Sequence, residues 1–185
     1  MTALCKEKSC TLPEVQALAG DVRPVFLRVM SGAAEALRDI MKARGLCYAE
    51  AEAPLSGMLS DTPPVACEGR LDLRFTDSKG KNVILDMKWT KASTRYGDLL
   101  EKDQDTQLAA YAGLDGNTTD AGYFLLRNGH VLWHEAHSSL TKRWQTIHTK
   151  VSSILQDWEQ GILDIKRTED ACTYCELRIL CGENV

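Results

Sequence analysis

Apolar and polar positions alternate through "CEGRLDLRF": Cys67, Leu71, Leu73 and Phe75 fall on one side, and Glu68, Arg70, Asp72 and Arg74 on the other. A period of two predicts a half-buried strand. Turn residues follow in "TDSKGKN". "VILDMKW" then resumes with Val83, Leu85, Met87 and Trp89 opposite Ile84, Asp86 and Lys88, so a β-hairpin is expected with Asp86 and Lys88 on one face. Upstream, "DVRPVFLRVMSGAAEALRDIMKARG" places Phe26, Val29, Ala33, Leu37 and Ile40 at helical spacing and stops at Gly45, the pattern of a long first helix. "LCYAEAEAPL" reads as a strand despite its alanines, and "SGMLSDTPPV" as a connection. Beyond the hairpin come a helix at about residues 98–113, strands in "AGYFLLRN" and "HVLWHEA", and a helix over roughly 139–160. The order helix, strands, helix, strands, helix predicts a mixed sheet with helices packed against it, an α/β or α+β layered domain.

Composition narrows the class. The chain of 185 residues has no internal repeat or long linker, so one domain over 1–185 is expected, with a cysteine-rich tail over 168–185. Apolar residues at 44% and charged residues at 26% match an ordinary soluble protein, and no run is long enough to cross a bilayer. The opening "MTALCKEKSCTLPE" interrupts any signal-like apolar stretch with charge, so a reducing cytoplasm is the expected location. There, seven cysteines read as thiols or metal ligands rather than disulfides. A net charge of −4 argues against a generally basic nucleic-acid-coating protein. The middle is nonetheless locally basic, with Arg70, Arg74, Lys79, Lys81, Lys88, Lys91, Arg95 and Lys102 around the hairpin aspartates.

Two carboxylates brought together across a hairpin repel unless a cation sits between them, and Mg or Mn is the natural ion for such oxygen ligands. An ion held by Asp72 and Asp86 keeps positions for water and a phosphate oxygen, and Lys88 on the same face can orient that water or stabilise developing charge. A D-x-K triplet on a polar strand face is by itself a common accident. In "QDTQLAAYAGL", Gln107 and Tyr111 stand four apart and project from one helix face, where they can touch a phosphate and a base, or else serve as a surface amide and a core-capping ring. In "ACTYCELRILCG", Cys172, Cys175 and Cys181 form C-x-x-C followed by a third cysteine after five residues, three soft ligands on a short tail. A fourth ligand is available in Cys5 or Cys10, and His148 is a weaker zinc candidate; zinc and an iron–sulfur cluster both fit. Cys47 and Cys67 fit strands better and read as structural.

Taken together, "GRLD", "DMK", "QLAAY" and the cysteine tail resemble the PD-(D/E)XK nuclease superfamily, and within it the iron–sulfur branch of AddB/RecB-like nuclease domains and CRISPR-associated adaptation nucleases. The resemblance covers about residues 50–182. It implies a restriction-endonuclease-like α/β core and a Mg- or Mn-dependent deoxyribonuclease, with an exonuclease acting on single-stranded ends in DNA recombination and repair as the expected type. It makes Asp72 and Asp86 metal ligands, Lys88 the catalytic lysine, Gln107 and Tyr111 DNA-binding residues, and Cys172, Cys175 and Cys181 ligands of a 4Fe-4S cluster. That branch places a metal-binding histidine on the first helix, whereas the first histidine here is His130; Glu35 stands at about the right remove to replace it. Without a replacement, the resemblance fits a degenerate nuclease fold that binds DNA as a scaffold. No G-x-x-x-x-G-K-[ST] loop is present, so a helicase partner would be a separate subunit or domain. A zinc protein with no nucleic-acid role is the third expectation, resting on the cysteines alone.

Overall fold

The computed structural model describes residues 16, 17, 20, 22–102, 104–134 and 140–162. Helix α1 spans Val22–Arg44 and ends at the expected glycine. The Gly45 N–H donates to the Lys42 carbonyl at 3.3 Å and the Leu46 N–H to the Met41 carbonyl at 2.8 Å. This double closure needs a left-handed residue, which Gly45 supplies at φ 62°.

Strands β1 (Cys47–Asp61) and β2 (Pro64–Thr76) form a long antiparallel hairpin. This corrects the expected connection over "SGMLSDTPPV". Ser56 pairs with Glu68 and Asp61 with Pro64, so the stretch is strand almost to its end and the turn is confined to Thr62 and Pro63. Its Gly, Ser and Asp residues look like turn chemistry, but tertiary packing decides: Ser60 is fully buried and accepts a hydrogen bond from Ser152 of helix α4 (Leu140–Glu159).

The sheet continues through β3 (Asn82–Lys88), β4 (Thr118–Leu125) and β5 (His130–Trp133) in the order β1-β2-β3-β4-β5. All neighbours are antiparallel except β3 and β4, and a parallel pair demands a crossover. Two helices supply it: α2 (Thr94–Glu101) and α3 (Thr106–Asp115). The single helix expected over about 98–113 is therefore broken. The cause is Asp105, whose backbone is extended at ψ 104° and whose carboxylate accepts the Leu108 N–H, starting a new helix.

The two faces of the sheet carry separate cores. On one, Ala33 of α1, flanked by Leu37, Ile40 and Met41, packs on Leu73, Phe75, Val83, Leu85, Phe124 and Val131. On the other, Leu108 and Ala112 of α3 and Leu140 of α4 cover Ala53, Leu55, Leu71, Ile84, Tyr123 and Leu125. Helices α3 and α4 meet closely because Gly113 has no side chain: a Cβ there would lie 2.2 Å from the Trp144 ring. Leu71 departs from the expected grouping with Leu73 and Phe75, joining the α3 side instead. The reason is a split in the sheet. The β2–β3 pairing reaches only to Leu73 opposite Leu85, and beyond it β2 peels away with β1.

Candidate active site

The split opens beside the residues singled out in the sequence. Where the next ladder bond would form, the Met87 N–H instead donates to Asp72 Oδ2 at 2.6 Å, so a side chain closes the seam that the backbone leaves open. Asp86 follows from the β3 pattern: it shares the face of Ile84, turns toward α3, and is 2% exposed. Lys88, two residues on, returns to the same face and brings its Nζ to 2.6 Å from Asp86 Oδ2. That ammonium is the one partner of the buried Asp86 Oδ2 among the described residues.

Electrostatics at Asp86 are accordingly unfavourable. Burial pushes its carboxyl above the ordinary carboxylate value, Lys88 pulls it back, and the Asp72 and Asp105 carboxylates push it up again. Helix α3 holds the lysine from the other side. Gln107 Oε1 accepts from Lys88 Nζ at 3.1 Å, and Gln107 Nε2 donates to the Tyr111 hydroxyl at 3.1 Å. The ring of Tyr111 in turn faces Gly69, where a Cβ would meet it at 3.7 Å. Asp86, Lys88, Gln107 and Tyr111 thus form one connected chain, with Asp72 at its edge.

Three further residues complete the surroundings and were not singled out in the sequence. Asp105, 3% exposed, caps α3 and accepts the Tyr123 hydroxyl at 2.8 Å, while its Oδ2 has no hydrogen-bond donor. Burial, followed by the adjacent Asp105 charge, pushes the Tyr123 hydroxyl far above its ordinary range, so it stays protonated and donates. Tyr123 and Tyr96 present their rings to the lysine, with Nζ 5.4 and 5.8 Å from their centroids. An aspartate before a helix was a legible capping signal, but the Tyr123 and Tyr96 contacts depend on the β3–β4 crossover.

The other expected residues are not gathered here. Glu35 is exposed on α1: two residues on from the buried Ala33, it lies about 200° around the axis and points away from the sheet. Among the described residues, no group of three or more His, Cys, Asp and Glu is placed to hold a metal ion. The ion expected from the chemistry can still be tested against two carboxylates. An oxygen-only pair, one carboxylate of which is buried with the Lys88 ammonium beside it, suits Mg or Mn, which keeps several waters and uses one or two carboxylates plus substrate phosphates. His148, the weaker zinc candidate, has its Nε2 3.7 Å from Asp61 Oδ2. Cys47 and Cys67 lie on strands β1 and β2, as expected, with Cys47 exposed and Cys67 half-buried. Cys5, Cys10, Cys172, Cys175 and Cys181 lie outside the described residues. Among the described residues, no helix is long and apolar enough to cross a membrane.

Comparison with known proteins bears on the family. The family model of the PD-(D/E)XK nuclease superfamily matches residues 7–182. No curated protein matches the chain in sequence. Among solved structures, the crystal structure of SSO0001 is similar at 15% identity and a TM-score of 0.49, over 97% of this chain and 79% of that one.

Proposed function

The chain belongs to the PD-(D/E)XK nuclease superfamily, and from that premise we propose that it is a Mg- or Mn-dependent deoxyribonuclease with Asp72, Asp86 and Lys88 as its catalytic residues. The observation that carries this reading is the state of Asp86: a carboxylate buried in the sheet, one oxygen of which meets only the ammonium of a lysine held by Gln107 among the described residues. A structural carboxylate so buried is normally satisfied. Asp72 and Asp86 would hold the ion, which when bound supplies Lewis-acid polarisation of the phosphate and a lowered pKa for water. Lys88 supplies the remaining positive charge. Its ammonium, fixed by the Gln107 amide and two tyrosine rings, is directed at the space where an attacking water and a phosphate oxygen would meet, and donates to the charge that develops there. Gln107 and Tyr111 steer the DNA backbone from α3.

The finer reading follows the resemblance: an exonuclease on single-stranded ends, working in recombination or repair beside a helicase subunit, and carrying a 4Fe-4S cluster on Cys172, Cys175, Cys181 and either Cys5 or Cys10. Iron and zinc analysis of anaerobically purified protein decides between cluster and zinc. A second reading is favoured by one observation, the lack of a third metal ligand among the described residues. Under it the domain is a degenerate nuclease fold that binds DNA without cutting it. The test is digestion of end-labelled linear and circular single-stranded DNA with Mn, using wild type, Asp86→Ala and Lys88→Ala. Cleavage by the wild type alone supports the nuclease, and cleavage restricted to linear DNA supports the exonuclease. Binding without cleavage in every sample selects the scaffold.

A further inference from the structure

A groove of about 420 Å³ lies between α1 and the turn that joins β4 to β5. Arg28 comes from α1, Arg127 from the turn, and Lys91 from the segment just past β3, and all three line it and are exposed. No Asp or Glu is among the described residues lining the groove, and none of the three cations has an ion-pair partner among the described residues. This sets them apart from the basic residues of the hairpin. Arg74 is occupied by Glu50 and Asp115, and Arg70 stands 4.0 Å from Glu52. In a chain whose net charge is −4, three cations around one cavity with no ion-pair partner among the described residues form a local anion-binding surface.

Beside the groove is an aromatic platform. Trp89 stacks on Phe26 of α1 with ring centroids 5.5 Å apart and planes 25° from parallel, yet Trp89 remains 48% exposed. Its position links the groove to the site. Trp89 directly follows Lys88, and the Leu126 N–H, one residue before Arg127, donates to the Lys88 carbonyl at 3.0 Å. Platform and cations therefore lie on the α1 side, and the catalytic lysine on the α3 side, of the same carboxyl end of β3. The turn is held against α1 at Gly129, where φ is 64° and a Cβ would lie 2.7 Å from Ala36 Cβ.

We infer that this groove carries single-stranded DNA toward the split in the sheet, with phosphates on Arg28, Lys91 and Arg127 and a base stacked on Trp89. Three cations on one groove, with no carboxylate among its described lining residues, match a polyanion, and an exposed ring accepts a base only when that base is unpaired. The inference rests on the nuclease-fold reading for its direction, toward Lys88, but its test is independent of cleavage. Binding of fluorescein-labelled oligothymidylate is followed by anisotropy in chelator across a salt series. The comparison is between wild type, the triple variant Arg28→Ala, Lys91→Ala, Arg127→Ala, and Trp89→Leu.

Loss of three phosphate contacts lowers the slope of log K against log salt by about 2, at roughly 0.7 per contact on a single strand. Trp89→Leu weakens binding about tenfold and leaves that slope unchanged. Both variants alter exposed side chains, so their melting curves should match the wild type. An unchanged slope and affinity in both variants overturns the inference, as does equal or tighter binding of a blunt duplex. If binding depends on the groove but no sample cleaves DNA, the groove stands and the nuclease reading falls. If cleavage depends on Asp86 but binding ignores all four groove residues, the reverse holds.

Discussion

Strand β3 ends in two buried ion pairs that differ in one respect. Near its start, the Asp115 side chain is 2% exposed and faces Arg74; near its end, the Asp86 side chain is 3% exposed and faces Lys88. The cations are matched too, at 24% and 22% exposure. Asp115, however, accepts from Arg74 at 3.0 Å, from the Asn82 amide at 3.0 and 2.9 Å, and from the Thr118 hydroxyl at 2.6 Å. Burial alone would raise its pKa, but the hydrogen bonds from Thr118, Asn82 and Arg74 hold it below the ordinary value. Asp86 has the burial with Lys88 alone to offset it and the Asp72 and Asp105 carboxylates nearby, and it shifts the other way. Equal burial with unequal satisfaction separates a carboxylate that holds the fold together from one that burdens it.

The contrast can be broken most forcefully at Lys88. Lys88→Ala should cut the DNA cleavage rate by about 10²–10³, the usual cost of one preorganised donor to a developing charge, as single-turnover digestion would measure. Asp115→Ala should leave the catalytic residues intact but lower Tm by roughly 6–12 °C, since stripping one partner from a buried pair costs about 3 kcal/mol. Asp86→Asn should do the opposite in chelator at neutral pH. With a charge removed whose burial outweighs its pairing with Lys88, Tm should rise by roughly 2–4 °C, near 1 kcal/mol for a chain of this length, and cleavage should be lost.

Acidification sharpens the same contrast by its sign. The depressed pKa of Asp115 gives stability that is whole above its ordinary 3.8 and drains away as pH falls through the folded value, so the deficit of Asp115→Ala shrinks in acid. The raised pKa of Asp86 works inversely. Its burden is absent below 3.8 and grows as pH rises through the folded value, so the gain from Asp86→Asn grows with pH. Thermal melts of the two variants against wild type across acid pH would show the two differences diverging as pH rises.

Local pattern carried most of the site. The period of two in "VILDMKW" sets Asp86 and Lys88 on one face, and helical spacing sets Gln107 and Tyr111 on another, so four members of the constellation were legible without tertiary information. What escaped was set by contacts distant in sequence. Leu71 and Leu73 look equivalent until β2 leaves β3 between them. The break between α2 and α3 is the exception: it falls in the wholly polar run 101–107, where the Asp105 cap is legible although a single helix was expected. Glu35 was chosen by sequence distance, whereas the packed stripe of Ala33, Leu37 and Ile40 determines which way it points. Pattern reports which residues share a face, and packing alone decides what that face meets.

The bond between the Met87 amide and Asp72 Oδ2 has a consequence for exchange with solvent. A backbone proton normally measures the opening of its own ladder, but this one measures a carboxylate. Anything that draws on Asp72, whether a proton or a cation, registers at the Met87 N–H in its chemical shift and exchange rate, and any fluctuation that parts β2 from β3 releases the ligand in the same event. The seam of the sheet and the charge state of the site are thereby read through a single peptide group.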